Sequence, residues 1–330
     1  MKPAPILVLI VNYRTAPLTV RALGAILPEL RARGDAQVLI VDNGSGDGSA
    51  ERIAEAIEQS AYGDCASLLA LNANVGFGAG NNAGLAHYRA VTGRQPDHVW
   101  LLNPDTIAEP LALTELVDFL TSCSEAGVAG GRCLRADGSI RPSAFRFPSP
   151  LNEFLATLDL GLLRRLFAGY DILLRTGDTP VRADWLSGSH MLIRGIVIER
   201  IGFFDPAYFL YFEETDFCAR AAEAGFEAWH VPSSRILHIG GQSTGIVEGR
   251  EEDRRPRYWF SSRARFMLDR YGRVRTHLAN LSWLAAAPAG ALIARLRRRP
   301  RSNVPHLWRD FLTHYYGPAG LMYCKRDVAS

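Results

Sequence analysis

The sequence predicts an α/β fold, in which helices flank a mostly parallel central sheet and a helical extension follows at the C-terminus. In the first third of the chain, short apolar runs alternate with stretches of helical periodicity. That β-α-β-α order is typical of a parallel sheet with helices on both faces. Each apolar run is followed by Asn, Asp, Gly or Ser residues. Since ligands bind beyond the carboxyl ends of such strands, we expect these loops to form one cleft.

The first four strands are uninterrupted apolar runs, as expected for strands that are buried on both faces. They are predicted at residues 6–13, 37–45, 67–73 and 98–105. The intervening helices are predicted at residues 18–33, 49–59 and 80–92. Ser49 begins the second helix as a cap, and Glu51 and Glu55 favour its positive N-terminal end. The polar loops after the strands are residues 12–15, 42–45, 72–80 and 103–106.

The second half of the chain is less regular. Residues 133–181 contain turn signals and aromatic residues, with a candidate helix near residues 151–167. Further strands are predicted at residues 183–194 and 230–241, and further helices at residues 197–201 and 215–224. Gly225 ends the last of these helices in the manner of a C-terminal cap.

The composition is that of a globular protein with room for one large domain and a helical appendage. Of its 330 residues, 48% are hydrophobic and 22% are charged, which excludes a disordered chain. The five cysteines are odd in number and form no CxxC pair, so we expect a reducing compartment and neither a disulfide framework nor a zinc cluster. The apolar run at residues 6–11 is too short for a signal peptide. A cytoplasmic location is therefore predicted.

The net charge of +3 hides a basic C-terminal region. Residues 250–330 carry 17 Lys and Arg against 6 Asp and Glu, a local charge of +11, whereas the rest carries 20 against 28, or −8. The apolar part of residues 281–301 is shorter than the roughly 20 residues that span a bilayer, and Pro288 and Gly290 interrupt it. One interpretation is an interfacial helix that seats the protein peripherally on an anionic membrane surface. The other is a set of solvated helix faces.

The segment GAGNNA (78–83) matches the glycine pattern of dinucleotide-binding loops. That pattern belongs at the first strand-to-helix turn, which here reads NYRTAP and has no glycine. A nicotinamide or flavin enzyme is therefore a poor fit. The glycines still allow backbone amides at a helix N-terminus to approach a phosphate, and a simple tight turn is the alternative.

The segment LLNPDT (101–106) delivers Asp105 from an apolar strand into a polar turn, with Asn103 beside it. A carboxylate in that position is suited to hold Mg²⁺ or Mn²⁺, which in turn bridges a diphosphate. An ordinary Asx turn is the alternative interpretation.

The segment YFEETDF (211–217) places Glu213, Glu214 and Asp216 within four residues. Such carboxylates repel one another unless a cation or a positive field offsets their charge. The neighbouring aromatic residues suggest a walled pocket in which one carboxylate becomes a base, and a plain acidic helix start is the alternative. His238 ends a later apolar strand and is a weaker candidate, because a lone histidine is more often structural.

Seven motifs in this order resemble glycosyltransferase family two, in particular its rhamnosyltransferase-like branch. They are NYRT, VDNGSGDGS, NVGFGAGNNAG, LLNPD, DWLSGSHMLIR, FDPAYFLYFEETDFCAR and the closing H-x-G-G. The resemblance spans roughly residues 5–275. The resemblance implies a GT-A fold, which is Rossmann-like. It also implies a nucleotide-diphosphate sugar donor (a dTDP- or UDP-sugar), a divalent metal, Mn²⁺ or Mg²⁺, and inversion at the anomeric carbon.

The resemblance also implies roles for single residues. Asp42 corresponds to the acidic residue that contacts the nucleoside, Asp105 and His238 to the metal ligands, and Glu214 to the catalytic base. The positions matched to the acceptor side are Trp185 and Gly188. The positions placed around the donor are Asn12, Tyr13, Thr15, Asn43, Asn74, Gly76, Gly80, Asn82 and Asn103.

This chain departs from the family pattern at two of these positions. Asn103 replaces the first metal-binding carboxylate, which weakens metal affinity but is usual in this branch. Glu214 is one methylene longer than the usual Asp, so the base is left open among Glu213, Glu214 and Asp216.

We therefore predict a glycosyltransferase domain at residues 1–245, with a nucleotide-sugar half (1–132) and an acceptor half (133–245), and a basic helical extension at residues 246–330. The expected reaction moves a sugar, rhamnose being one candidate, onto a hydroxyl of a glycan or lipid-linked acceptor in polysaccharide biosynthesis. No nucleic-acid partner is expected, and the oligomeric state stays open. Two alternatives are a sugar nucleotidyltransferase, which needs a glycine-rich loop after the first strand, and a non-catalytic scaffolding relative, which would lack Asp105 or the acidic cluster.

Overall fold

The strands and helices of the chain are taken from a computed structural model that describes residues 5–60, 63–158, 166–239, 254–296 and 306–317, with Gly320 and Met322. The strands are β1 (Ile6–Asn12), β2 (Ala36–Asp42), β3 (Ala66–Ala70), β4 (His98–Leu102), β5 (Thr106–Ala108), β6 (Ala126–Leu134), β7 (Ile140–Arg141), β8 (Ala144–Phe145), β9 (Val181–Ala183), β10 (Trp185–Leu186), β11 (His190–Arg194) and β12 (Glu227–His238). The helices are α1 (Ala16–Arg33), α2 (Ser49–Gln59), α3 (Phe77–Thr92), α4 (Ala112–Ser122), α5 (Pro150–Leu158), α6 (Gly195–Ile201), α7 (Glu213–Glu223), α8 (Arg257–Leu296) and α9 (Leu307–Tyr316).

The central sheet has the strand order β3-β2-β1-β4-β11-β6-β12-β5, with β7 beside β6 and β9 beside β12. Strands β1 to β4 run parallel, as predicted. Strand β11 runs antiparallel between β4 and β6, and β12 runs parallel to β6. The carboxyl ends of β1, β2, β4 and β12 therefore lie at the same edge of the sheet. The α/β fold class is confirmed.

The core forms because helices cover the apolar strands on both faces. Every residue of β1 is buried, including Asn12 at its end. On α1, the spacing of Leu23, Ile26, Leu27 and Leu30 places four apolar side chains on one helix face, and all four belong to the main core cluster. The polar residues that end these strands are thus held by a rigid scaffold.

Three predicted elements have different limits in the structure. The strand expected at 98–105 ends at Leu102, because Pro104 has no N–H for a ladder and the Asn103 N–H donates to the Ser189 carbonyl. The strand expected at 183–194 is divided among β9, β10 and β11, and β10 pairs with β8 in a separate two-stranded sheet. The helix expected at 80–92 begins at Phe77.

The other limits shift by a few residues. Strands β2 and β3 end at Asp42 and Ala70, α6 and α7 begin at Gly195 and Glu213, and β12 covers Glu227–His238. Gly240 and Gly241 lie outside the described residues. The candidate helix at 151–167 is seen as Pro150–Leu158, and residues 159–165 also lie outside them.

Helix α4 and strand β6 were missed by the sequence interpretation. Strand β6 reads AGVAGGRCL, and its small residues have little strand propensity. Small residues are needed in β6 because the side chains of the adjacent strand lie close to it: a Cβ on Gly131 would collide with the ring of His190.

The chain divides into two compact units. Unit 1 comprises Met1–Phe145, Leu174–Phe209 and Glu213–Val247, and unit 2 comprises Arg146–Leu173, Leu210–Phe212 and Glu248–Ser330. The central sheet lies in unit 1. The expected boundary at residue 245 remains a prediction; the last division between the units follows Val247, and residues 146–173 are grouped with the C-terminal residues.

Unit 2 has its own small core, formed by Phe260, Ala264, Phe311, Tyr315 and Met322. Beside this core, the buried Arg263 donates through Nε to Glu153 Oε1 (2.9 Å), and its Nη1 donates to the Asn280 side chain and the Tyr315 hydroxyl. Burial alone would lower the pKa of Arg263, but the Glu153 carboxylate raises it above its ordinary value. The guanidinium is therefore kept charged within the unit.

Helix α8 is interrupted twice along its length. Gly272 has φ 71° and ψ 174°, which are not helical, so two helical segments meet there. Farther along, Pro288 has no N–H to donate to the Leu284 carbonyl, and the Trp308 indole N–H donates to that carbonyl instead (3.1 Å). Within the described residues, no helix is both long enough and apolar enough to cross a membrane.

Candidate active site

The loops after β1 and β2 are joined by hydrogen bonds between buried side chains. Asn12 donates through Nδ2 to Asp42 Oδ1 (2.6 Å) and to Ser45 Oγ (3.2 Å). The side-chain oxygen of Asn12, Oδ1, accepts from the hydroxyls of Thr15 and Thr19. The Asp42 carboxylate accepts from both the backbone N–H and the hydroxyl of Ser45. Asn12, Thr15 and Asp42, predicted separately, therefore form one network.

Ser45, Thr19 and Arg14 were not identified from the sequence, although they complete this network. The Arg14 backbone N–H donates to Ser45 Oγ (2.9 Å), and its Nε donates to the Ser45 carbonyl (3.1 Å). The Arg14 guanidinium also lies 5.1 Å from the centre of the Tyr13 ring. The available signal was the position of all three residues in or just after the first two polar loops.

The loop after β3 is fixed by a second set of amide contacts. Asn43 donates through Nδ2 to Asn74 Oδ1 (3.0 Å) and to the Gly76 carbonyl (3.1 Å). Asn74 Oδ1 also accepts from the Gly76 N–H (2.9 Å). Gly76 has φ 91°, and a Cβ there would overlap the Phe209 carbonyl oxygen. This position therefore requires glycine.

Gly80 and Asn82 lie inside α3 rather than in the loop. A Cβ on Gly80 would lie 3.1 Å from Val11 Cγ1, so glycine lets the helix approach β1. Asn82 donates to the Phe204 carbonyl (2.7 Å) and accepts from the Phe204 N–H (3.1 Å). In this structure, both residues position α3 against its neighbours.

Asp105 and His238 meet at the sheet edge although 132 residues separate them in the chain. The pairing of β12 with β5 places His238 opposite Thr106. His238 Nε2 lies 3.3 Å from Asp105 Oδ1, and the exposed fractions of the two side chains are 7% and 3%. Within the described residues, no group of three or more His, Cys, Asp and Glu residues is placed to hold a metal. The pair brings one carboxylate oxygen and one imidazole nitrogen together in a nearly buried position.

The loop between β10 and β11 connects Asn103 with the acidic cluster. The Ser189 carbonyl accepts from the Asn103 N–H (3.1 Å). A Cβ on the preceding Gly188 would lie 3.2 Å from the Phe77 ring and 3.9 Å from Glu214 Cβ. Gly188, Phe77 and Glu214 are therefore neighbours at the N-terminal end of α3.

Glu213 and Glu214 are buried carboxyl groups at the start of α7. Burial raises the pKa of Glu214 to about 7, although the N–H groups of Glu214 and Gly188 act to lower it. Burial and the Glu214 charge raise the pKa of Glu213 well above its ordinary value. The Oε2 atoms of both residues have no hydrogen-bond partner among the described residues. The geometry therefore favours a proton on Glu213 and a basic oxygen on Glu214.

Asp216 has a different environment from these two residues. Its Oδ2 accepts from Arg220 Nε (2.8 Å), one helical turn away. Arg220 also donates to the carbonyls of Ile201 and Phe203. Asp216 therefore helps to anchor α7, and its charge is balanced within the helix.

Trp185 stacks on Phe145, with the ring centres 4.2 Å apart and the planes 15° apart. The two residues face each other across the two-stranded sheet of β8 and β10. Strand β10 leads directly into the Gly188 loop, so this aromatic stack adjoins the side of the cleft that holds Glu214.

His190, at the start of β11, is a further buried residue near the cleft, and its role is structural. Its Nδ1 accepts from the Trp100 indole N–H (3.0 Å), and its Nε2 lies 2.7 Å from Ser234 Oγ. Since the Ser234 hydroxyl donates to the Ala112 carbonyl, His190 Nε2 is the donor in their contact. Burial lowers the pKa of His190 to about 3, so the ring is neutral and adjoins the Gly188 loop.

Comparison with known proteins places these features in a family context. A family model described as "Glycosyltransferase like family 2" matches residues 3–268. N-acetylglucosaminyl-diphospho-decaprenol L-rhamnosyltransferase of Mycobacterium tuberculosis is 31% identical over 246 residues, or 72% of this chain and 77% of that protein. Rhamnosyltransferase WbbL of Escherichia coli K12 is 31% identical over 169 residues, or 49% of this chain and 60% of that protein.

The fold is also similar to that of a solved glycosyltransferase. The mannosyltransferase PcManGT of Pyrobaculum calidifontis, determined with GDP-Man and Mn²⁺, superposes with a TM-score of 0.56 and 17% identity. The match covers 90% of this chain and 77% of that chain. At this identity the likeness concerns the fold, and it confirms the GT-A class.

Proposed function

The chain belongs to glycosyltransferase family two, which confirms the resemblance drawn from its motifs, and it is a glycosyltransferase; from this premise, we propose that it transfers rhamnose from a nucleotide-diphosphate sugar to a hydroxyl of a lipid-linked glycan. Both relatives are rhamnosyltransferases, which supports the choice of sugar. The Mycobacterium tuberculosis relative is named for a lipid-linked acceptor, N-acetylglucosaminyl-diphospho-decaprenol, which supports the choice of acceptor. With such an acceptor, the enzyme works at the cytoplasmic face of the cell membrane.

The observation that carries the proposal is the buried Glu213–Glu214 pair beside the Gly188 loop. A hydroxyl nucleophile needs a base that is ionised near neutral pH, and a carboxylate with a pKa of about 7 meets that need. Glu214 Oε2 has no partner among the described residues, so it is available to accept the hydroxyl proton.

The reaction proposed is a single in-line displacement. Glu214 takes the proton of the acceptor hydroxyl as its oxygen forms a bond to the anomeric carbon. The bond between that carbon and the diphosphate oxygen breaks, and the diphosphate leaves with the electron pair. Since the nucleophile and the leaving group occupy opposite faces, the anomeric configuration inverts.

We propose that the Asp42 network and the loop 74–76 receive the donor. They lie at the ends of adjacent parallel strands, where nucleotides bind in this class of fold. Asn43 and Asn74 already use part of their amide groups to fix the loop. Their role toward the donor is therefore to present a preformed backbone surface, which reduces the entropy lost on binding.

Asp105 and His238 suit a divalent cation, because they bring one carboxylate and one imidazole nitrogen together in a nearly buried position. We propose that they hold Mn²⁺ or Mg²⁺, whose charge offsets that of the leaving diphosphate. In the described part of the chain, no third acidic, histidine or cysteine side chain is grouped with them.

The two alternatives from the sequence, a sugar nucleotidyltransferase and a non-catalytic scaffolding relative, gain no support. The relatives reported above are transferases that act on sugars. The acidic pair is retained and buried, which would be costly in a scaffold that performs no chemistry.

The test is transfer by the purified protein, with dTDP-rhamnose, UDP-N-acetylglucosamine and GDP-mannose as donors and an N-acetylglucosaminyl-diphospho-prenol as acceptor. Mass spectrometry should show that the acceptor gains one deoxyhexose, and that of the three donors only dTDP-rhamnose supports this gain. Transfer should be lost when the metal is chelated. A thermal-shift series with UDP, dTDP and GDP, each with and without Mn²⁺, should show stabilisation by the preferred nucleotide. Transfer of a different sugar, or none with any donor, would contradict the proposal.

A further inference from the structure

Helix α8 presents an apolar stripe to solvent instead of the polar face that is usual for a surface helix. Its members are Val274, Leu278, Leu281, Ala285, Leu292 and Leu296. The exposed fraction ranges from 55% for Leu278 to 75% for Leu296 among the five larger side chains. At about 100° per residue, all six positions fall within about 60° of arc and extend over about 33 Å.

Arginine residues flank this apolar stripe on both sides. Arg273 and Arg275 lie at about 100° to either side of its centre, and Arg295 lies about 60° away; all three are exposed. The sequence has nine arginines and no Asp or Glu from Arg270 to Arg309. The stripe is therefore both apolar and surrounded by uncompensated positive charge.

We propose that the apolar stripe of α8 binds the surface of an anionic phospholipid bilayer, with the helix parallel to the membrane plane. A helix with one apolar face and flanking basic residues is suited to the boundary between head groups and acyl chains. Each arginine near such a surface strengthens binding by about fivefold.

Charge complementarity favours lipid over a second copy of the chain as the occupant. If two α8 stripes packed together, the arginines of both copies would meet without any acidic residue from this part of the sequence to balance them. Like charges brought together in an interface oppose association. Anionic head groups supply the missing negative charge.

The inference goes beyond the proposed reaction, because membrane binding can be measured without donor or acceptor. The test uses the full-length protein in flotation assays with vesicles of phosphatidylcholine alone or mixed with phosphatidylglycerol. We expect binding to the mixed vesicles that weakens as salt is raised, and much weaker binding to phosphatidylcholine alone.

Three variants separate the contributions to binding. Leu278→Gln/Leu281→Gln/Leu292→Gln should weaken vesicle binding by at least about tenfold, because it replaces three apolar side chains that insert into the lipid with polar ones. Arg273→Gln/Arg275→Gln/Arg295→Gln should remove the preference for phosphatidylglycerol. Val91→Gln/Ile196→Gln is the matched control, since both side chains are about half exposed and lie outside the stripe; it should bind like the wild type.

Several results would overturn the inference. These are absence of binding to either vesicle, equal binding to both, or equal loss of binding in the control. A wild-type dimer in solution that the leucine variant converts to a monomer, with no vesicle binding, would instead assign the stripe to a second copy. In each of these cases the transferase proposal would stand, because its test does not depend on vesicles.

Discussion

At Glu213 and Glu214, two adjacent carboxyl groups take different protonation states because their surroundings differ. Both are buried, and burial raises the pKa of each. The N–H of Gly188 favours the charged form of Glu214, whereas the charge of Glu214 disfavours ionisation of Glu213. Glu214 is therefore the member of the pair that loses its proton first as pH rises, at about pH 7, while Glu213 stays protonated.

Glu214→Gln should lower turnover by about 10²–10⁴-fold, because the amide keeps the size of the side chain but cannot accept the proton. Donor affinity, measured by calorimetry, should be close to that of the wild type. Wild-type turnover should also fall about tenfold for each pH unit below about 7, since the protonated base is inactive.

Asp216→Asn is the matched comparison for this substitution. Its effect should appear mainly as a lower melting temperature, because Asp216 pairs with Arg220. An inactive Asp216→Asn enzyme beside a nearly normal Glu214→Gln enzyme would show that the base has been assigned to the wrong carboxylate.

Glu213→Gln should make the protein more stable at alkaline pH. The pKa of Glu213 in the folded state is raised above the ordinary value of 4.5, so the folded state binds more protons than the unfolded one above that pH. Stability contributed by the protonated group is therefore full below about pH 4.5 and is lost as pH rises through the folded-state pKa. We expect a gain in the free energy of unfolding at alkaline pH that falls toward zero at acidic pH. Denaturant titrations at several pH values would measure it, and a gain independent of pH would contradict it.

Asp105→Ala should abolish the part of nucleotide binding that depends on Mn²⁺ or Mg²⁺, because it removes the carboxylate ligand proposed for the cation. His238→Ala should do so more weakly, since the donor and water supply other ligands. Calorimetry with and without the metal measures the effect. Unchanged metal-dependent affinity in Asp105→Ala would remove this residue from the site.

The loop before α3 shows how one element depends on a single backbone conformation. Gly76→Ala should lower the free energy of unfolding by more than about 2 kcal/mol, because it combines a left-handed backbone with an overlap at the Phe209 carbonyl. Gly93→Ala, at the other end of α3, is the control: it has a similar φ of 67° with no atom within 4 Å of the added Cβ. Its cost should be about 1 kcal/mol, and equal losses in the two variants would show that the overlap is relieved elsewhere.

The sequence predicted the N-terminal elements well because their signals are local. Strand β1 and helix α2 follow from an apolar run and a periodic segment, but the expected cap at Ser49 was wrong, because Gly48 is the N-cap and makes no side-chain hydrogen bond. The start of α3 was missed because glycines at 78 and 80 have low helix propensity. Packing outweighs propensity there, since a Cβ at position 80 would lie 3.1 Å from Val11 Cγ1, closer than an ordinary contact.

The candidate site was predictable as a set of loops, but its contacts were not. The rule on strand ends placed Asn12 and Asp42 in one cleft, whereas their mutual hydrogen bond depends on the register of β1 and β2. The approach of His238 to Asp105 requires the strand order of the whole sheet, and no local pattern encodes it. The resemblance to a family supplied that pair where spacing alone did not.

At the scale of the whole molecule, unit 2 is assembled from three separate segments of the chain. A chain that stops at residue 245 would lack Arg263, so the Glu153 carboxylate would lose the guanidinium that it binds in the full chain. We expect this truncated protein to melt at a lower temperature and to bind more of a hydrophobic dye than the full chain. A melting temperature equal to that of the full chain would show that residues 146–173 need no C-terminal partner.

The pairing of Glu153 with Arg263 also sets an order of events during synthesis. The two residues are 110 positions apart, so at ribosomal speeds Arg263 is added to the chain about 5–20 s after Glu153. During that interval, the strands β9 to β12 emerge and can close the sheet, while Glu153 lacks the guanidinium of Arg263. Ribosome-bound chains in which residue 238 has left the exit tunnel but residue 263 has not should therefore carry a folded sheet with a protease-sensitive segment near Glu153, and that segment should be protected once the complete chain is released.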